Sequence, residues 1–148
     1  MQGANMNNLL SILAAVEMLA DDLHYRSGGE AFYALHVLAD VCKKDIGSFI
    51  DSLKEKYFMG ELKTVPPCDC DTYEAAIALV RETVNGIGGD NKNLSLILRL
   101  REMCARAIGQ IEELKKIQLL SGTTSVLDEI SSRMQTNYAL LDHCATAE

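Results

Sequence analysis

Tryptophan is absent from this chain, proline occurs only as Pro66-Pro67, and no lysine or arginine precedes Arg26. Each shortage excludes something. An amino-terminal stretch, Met1 to Asn8, without a basic residue, and no small-residue cleavage site after the apolar Leu9–Leu19 run, argue against a secretory signal. No apolar run reaches about 18 residues, so no membrane span is expected. A net charge of −7 leaves no basic footprint of the kind that supplies most nucleic-acid affinity, so DNA binding is not expected. Lys43, Lys44, Lys54 and Lys56 alternate with acids and read as an ordinary solvated helix face. Five cysteines (Cys42, Cys68, Cys70, Cys104, Cys144) form an odd set without framework spacing, which fits free thiols in a reducing cytoplasm.

What is present is a helical chain. With 48% apolar and 24% charged residues, 148 residues suffice for one soluble, cored domain spanning residues 1–148. Leu9, Ile12, Leu13, Val16, Leu19 and Leu23 repeat at three and four, which predicts a helix from about Asn5 to Arg26. Ser27-Gly28-Gly29 ends it, because glycine accepts the left-handed conformation of a helix C-cap. A second helix is expected to run unbroken from Glu30 to Phe58, near 43 Å at about 1.5 Å per residue. Gly47, near its middle, costs roughly 1 kcal/mol against alanine and would let two helices approach closely at a dimer axis, or is simply tolerated at the surface.

Gly60 to Asp71 reads as a loop, stopped against helix by the two prolines. A shorter helix follows over Thr72–Val84, and Gly86, Gly88 and Gly89 break the chain again. Asp90 or Asn91 then N-caps a helix to about Ile117, with Leu94, Ile97, Leu98, Met103, Ile108, Ile111 and Leu114 as its apolar positions. Ser121-Gly122-Thr123 is expected as the last turn before a helix over Thr124–Cys144, faced by Val126, Leu127, Ile130, Met134, Tyr138 and Leu141. Strand signals are nearly absent. Four long helices with a short one in a long middle connection predict an all-α, ferritin-like four-helix bundle.

Five residues carry chemistry: His24, His36, Asp40, Asp51 and Glu55. Two imidazoles and three carboxylates suit a hard, redox-active cation such as iron. On one continuous helix at about 100° per residue, Asp40, Asp51 and Glu55 fall some 40°, 60° and 100° round from His36, on one stripe. Yet His36 and Asp51 would be roughly 22 Å apart along it, too far for one ion. The helix therefore carries two half-sites, and an antiparallel second copy, with its axis near Asp45–Ile46, would complete both. The Gly28-Gly29 hairpin brings His24 toward His36. Taken singly, each acid reads as solvated and each histidine as structural; their joint placement favours a site. No Glu-x-x-His occurs, so the di-iron motif internal to one bundle is missing. His143 stands alone and is expected at the surface. Cys68-Asp69-Cys70-Asp71 lacks the spacing of a zinc site and reads as loop thiols.

The segment Leu23 to His36, with its continuation to Asp40 and through Phe49-Ile50-Asp51-Ser52-Leu53-Lys54-Glu55, resembles the signature of Dps-type mini-ferritins. Gly122-Thr123, Leu127-Asp128-Glu129-Ile130-Ser131 and Tyr138-Ala139-Leu140-Leu141 are similar to that family's last helix. The resemblance covers residues 9–145. It implies His24, His36 and Asp40 as iron ligands from one subunit and Asp51 and Glu55 from its two-fold mate. It also implies a hollow homododecamer that oxidises Fe(II), with hydrogen peroxide or dioxygen, and stores ferric mineral in the cytoplasm. Three features depart from the family pattern. Tyr25 stands where a tryptophan usually follows the first histidine, no basic tail is present, and Ser121 and Ser125 replace acids that line iron pores, leaving Asp128 nearest. The rival readings are a non-catalytic helical interaction protein and a DNA-binding member of the same family.

Overall fold

The computed structural model describes residues 2–59 and 62–148, with side chains from Asn5 onward. Six helices account for its regular structure: α1 (Gln2–Arg26), α2 (Phe32–Lys43), α3 (Ile46–Met59), α4 (Asp69–Gly86), α5 (Lys92–Lys115) and α6 (Ser121–Ala147). No strand occurs among the described residues. α1 packs against α2, α3, α5 and α4, while α5 and α6 form the second antiparallel pair. The bundle is thus α1, α2–α3, α5 and α6, with α4 as the extra helix of the middle connection.

The apolar repeat of α1 buries as its spacing requires: Leu9, Ile12, Leu13, Val16, Leu19 and Leu23 are all in the core. Leu10, Ala14, Ala15 and Ala20, off that stripe, are buried too, because helices enclose α1 on several sides. Each large aliphatic side chain so buried contributes about 1.5–3 kcal/mol. In α6, Leu127, Ile130, Met134 and Leu141 are core residues, whereas Val126 and Tyr138 are half-buried.

The expected unbroken second helix is two helices. After Lys43 the backbone turns extended at Lys44 (φ −58°, ψ 136°) and left-handed at Asp45 (φ 66°), and α3 starts anew at Ile46. The break is held from across the bundle. Arg133 of α6 donates to the Lys44 carbonyl at 3.3 Å and to the Asp45 carboxylate at 3.2 Å. One turn on, the fully buried Asn137 donates Nδ2 to the Cys42 carbonyl at 3.2 Å. Carbonyls at a helix end need such donors once the helical ladder stops. The stripe angles and 22 Å separation calculated for one continuous helix therefore do not describe this chain. Gly47 meets nothing that a Cβ would touch, so it serves no close approach within the chain.

The other boundaries shift less. Ser121-Gly122-Thr123 is the first turn of α6, not a connecting turn; the connection is residues 116–120. Asn91 is the N-cap of α5, its side chain accepting from Leu94 N at 3.0 Å. α4 reaches two or three residues further at each end than expected. Gly60 and Glu61, the expected start of the loop, lie outside the described residues.

Candidate metal centre

Gly29, at φ 74°, lets the chain reverse between α1 and α2. Asn93, in the first turn of α5, clamps that hairpin from both sides: its Oδ1 accepts from Gly28 N at 3.0 Å and its Nδ2 donates to Gly28 O at 2.7 Å. Asp21 and Lys43 add an ion pair of 2.6 Å between α1 and α2. The hairpin sets His24, near the end of α1, against His36 in the second turn of α2. Their rings lie 3.6 Å apart between centroids, tilted by 34°. Tyr25 meets His24 edge-on at 4.4 Å, and Phe32 flanks His36 at 5.3 Å.

The proton positions follow from the partners. His36 Nδ1 lies 2.9 Å from the His24 carbonyl oxygen, which can only accept, so Nδ1 carries the hydrogen. In the neutral ring the lone pair then resides on Nε2, the state a metal ligand needs. His24 differs. Its Nδ1 is 3.0 Å from Asp40 Oδ1, an ion-pair distance, yet the ring is not aligned for an N–H···O bond and this buried nitrogen has no hydrogen bond. Asp40 keeps most of its carboxylate in solvent, at 62% exposure.

The hairpin thus sets His24 beside His36 and beside Asp40, two pairings among the five expected residues. Asp51 and Glu55 lie on α3, both exposed and neither in an ion pair among the described residues. Their i, i+4 spacing puts both on one helical face. Among the described residues, no three His, Cys, Asp or Glu side chains of the chain converge as a group able to hold a metal ion. His143 is exposed, as expected. Asp128, the acid nearest the expected pore position, is ion-paired to Lys115, so its charge is partly neutralised. Asp69 is likewise held by Lys54 at 2.7 Å, and all five cysteines are free thiols, with Cys68 and Cys70 exposed.

The residues that fix the hairpin and the break, Asn93, Arg133 and Asn137, were not singled out from the sequence. They are isolated polar side chains whose partners are backbone groups 65 to 95 residues away. Local patterning gives no signal for such pairs.

This connectivity, with two antiparallel pairs and a long crossover that carries the 18-residue α4, defines a ferritin-like fold of the Dps type. It is similar to the crystal structure of Dps from Thermosynechococcus elongatus, with a TM-score of 0.67 over 96% of this chain and 88% of that chain. Sequence identity across the match is 17%, so the likeness is one of fold. No family profile and no curated protein matches the sequence. No helix among the described residues is long and apolar enough to cross a membrane.

Proposed function

We propose that this chain is an iron-storage ferroxidase whose sites are completed between two copies. His24, His36 and Asp40 of one subunit and Asp51 and Glu55 of its mate are the proposed ligands of the substrate iron. The observation that carries this reading is the histidine pair. His36 has its proton committed to a backbone carbonyl, and His24 presents a buried nitrogen without a hydrogen bond 3.0 Å from a carboxylate oxygen. Two donors side by side on one cation, with bonds of about 2.1 Å, lie about 3.0 Å apart.

The described residues of one chain do not by themselves form a group able to hold a metal ion, and two histidines and one carboxylate would leave a hard cation short of oxygen donors. A second copy can supply them. The face around the pair is apolar and uncovered: Tyr25 is 72% and Tyr33 76% exposed, and Val37 and Val41 follow Tyr33 at one-turn intervals on α2. Such a patch marks an interaction surface more readily than a solvated one. Assembly across it, on through a dodecamer, would house ferric mineral.

The reaction balances simply. Two Fe(II) each give up one electron to one hydrogen peroxide, which takes two protons and leaves as two waters. Carboxylates favour the rising charge of the oxidised ion, and shared ligands couple iron binding to assembly by mass action.

The test is anaerobic Fe(II) addition followed by peroxide, with ferric absorbance recorded for wild type and Asp51→Ala. Losing one ligand should slow oxidation by about 10-fold or more. Equal rates would remove Asp51 from the mechanism. A native mass of a monomer or dimer, with no iron oxidation, would replace this reading with a non-catalytic interaction protein.

A further inference from the structure

We infer that Arg26, Lys92 and Arg99 form an oxyanion site that takes a phosphate group. Arg26 ends α1, while Lys92 and Arg99 lie on the first turns of α5, and all three line one cavity of about 190 Å³ with Gly89, Asp90 and Ser95. Three cations face one acid there, a surplus of two positive charges in a chain whose net charge is −7. Neither Arg26 nor Lys92 has an ion-pair partner among the described residues, and Asp90 pairs with none of the three. Three cations around one acid leave two positive charges uncompensated, and an anion joining them would relieve their mutual repulsion.

The cavity is also held in shape. Among the described residues Arg99 spends only Nε, donating to the Ile87 carbonyl at 3.3 Å, and its terminal amino groups make no hydrogen bond there. Ser95 donates to the same carbonyl at 3.1 Å. The Asn93 clamp on Gly28 fixes the end of α1, and with it Arg26, against the start of α5. A fixed backbone and the held Arg99 stem lower the ordering cost of binding.

Size and charge select the ligand class. At about 30 Å³ per water, a cavity of about 190 Å³ has room for roughly six waters, enough for a phosphate group. Guanidinium forks match pairs of phosphate oxygens, and a surplus of two charges matches a phosphate dianion. Inorganic phosphate and the backbone phosphate of a nucleic acid share this chemistry. None of the three cations is a proposed iron ligand, so the site stands or falls apart from the ferroxidase reading.

The experiment is equilibrium dialysis of inorganic phosphate against the metal-free full chain at low salt, with a chelator present. Wild type is compared with the double variant Arg26→Gln/Lys92→Gln and with Arg99→Lys, which keeps the charge but loses the fork. Phosphate should bind wild type, at least about 10-fold more weakly to the double variant, and between the two to Arg99→Lys. The double variant should melt as wild type does without phosphate, since neither side chain is buried. A short single-stranded oligonucleotide that competes, and does so only on wild type, extends the site to nucleic-acid phosphate; absence of competition confines it to the free anion. A wild type that takes up neither probe, or a double variant that binds phosphate as well as wild type, overturns the site.

Discussion

His24 and His36 share a hairpin but are prepared differently: one ring has its proton placed by a carbonyl, the other has a buried nitrogen beside a carboxylate. The cysteines divide in a similar way by environment. Burial pushes the Cys42 thiol up to about 12, with the nearby Cys144 adding to the shift, and burial drives Cys104 higher still. A thiol kept protonated and enclosed is unreactive, because the thiolate is the nucleophile. In the native protein a thiol-specific reagent should therefore label Cys68 and Cys70 quickly, with Cys42 and Cys104 labelled only on unfolding. Peptide mapping after brief labelling checks this; early modification of Cys42 would show that the α2–α6 packing opens.

Asp45 decides the shape of the second bundle element. A left-handed φ of 66° costs a β-carbon-bearing residue about 1–2 kcal/mol, less for aspartate, whose short polar side chain bonds locally. Here that side chain is anchored by Arg133. Asp45→Ala should lose both the anchor and the tolerance, destabilising the fold by about 1–2 kcal/mol. Asp45→Gly loses the anchor but gains a backbone free of that strain, and should stay within roughly 0.5 kcal/mol of wild type. Urea unfolding of the two variants makes the comparison, and equal losses would mean that the break is not a strained point. The same element shows where local reading stops. The residues from Glu30 to Phe58 contain no proline and only one glycine, so nothing in them announces a break; the reason lies on α6.

Two buried thiols and a buried phenol give the whole bundle a direction of pH sensitivity. Their folded values lie above those of the unfolded chain, where a thiol titrates near 9 and tyrosine near 10. Stability from keeping them neutral is complete below pH 9 and is lost as pH rises through the window from about 9 to 12, because the unfolded chain releases protons first. Each thiol contributes a slope approaching about 1.4 kcal/mol per pH unit within that window. Denaturant midpoints measured from pH 7 to 11 should fall above pH 9, and Cys42→Ala should flatten the fall. A slope unchanged by that substitution would place the sensitivity elsewhere.

The helical class, the ferritin-like order of elements, the core stripe of α1 and an N-cap at Asp90 or Asn91 were legible in the sequence, because local spacing and single terminal residues carry them; the structure makes the cap Asn91. The nearness of His24, His36 and Asp40 was legible too, since a short glycine hairpin joins their helices. The helix break was not, and with it fell the helical-wheel phase that had put Asp51 and Glu55 on the stripe of His36. That feature depends on Arg133 and Asn137 reaching carbonyls some 90 residues distant, and the cavity of Arg26, Lys92 and Arg99 depends likewise on α1 and α5 packing together so that the end of one meets the start of the other. Periodicity reports which face of a helix is buried; only the packed bundle determines which side chains, remote in sequence, arrive at the same point in space.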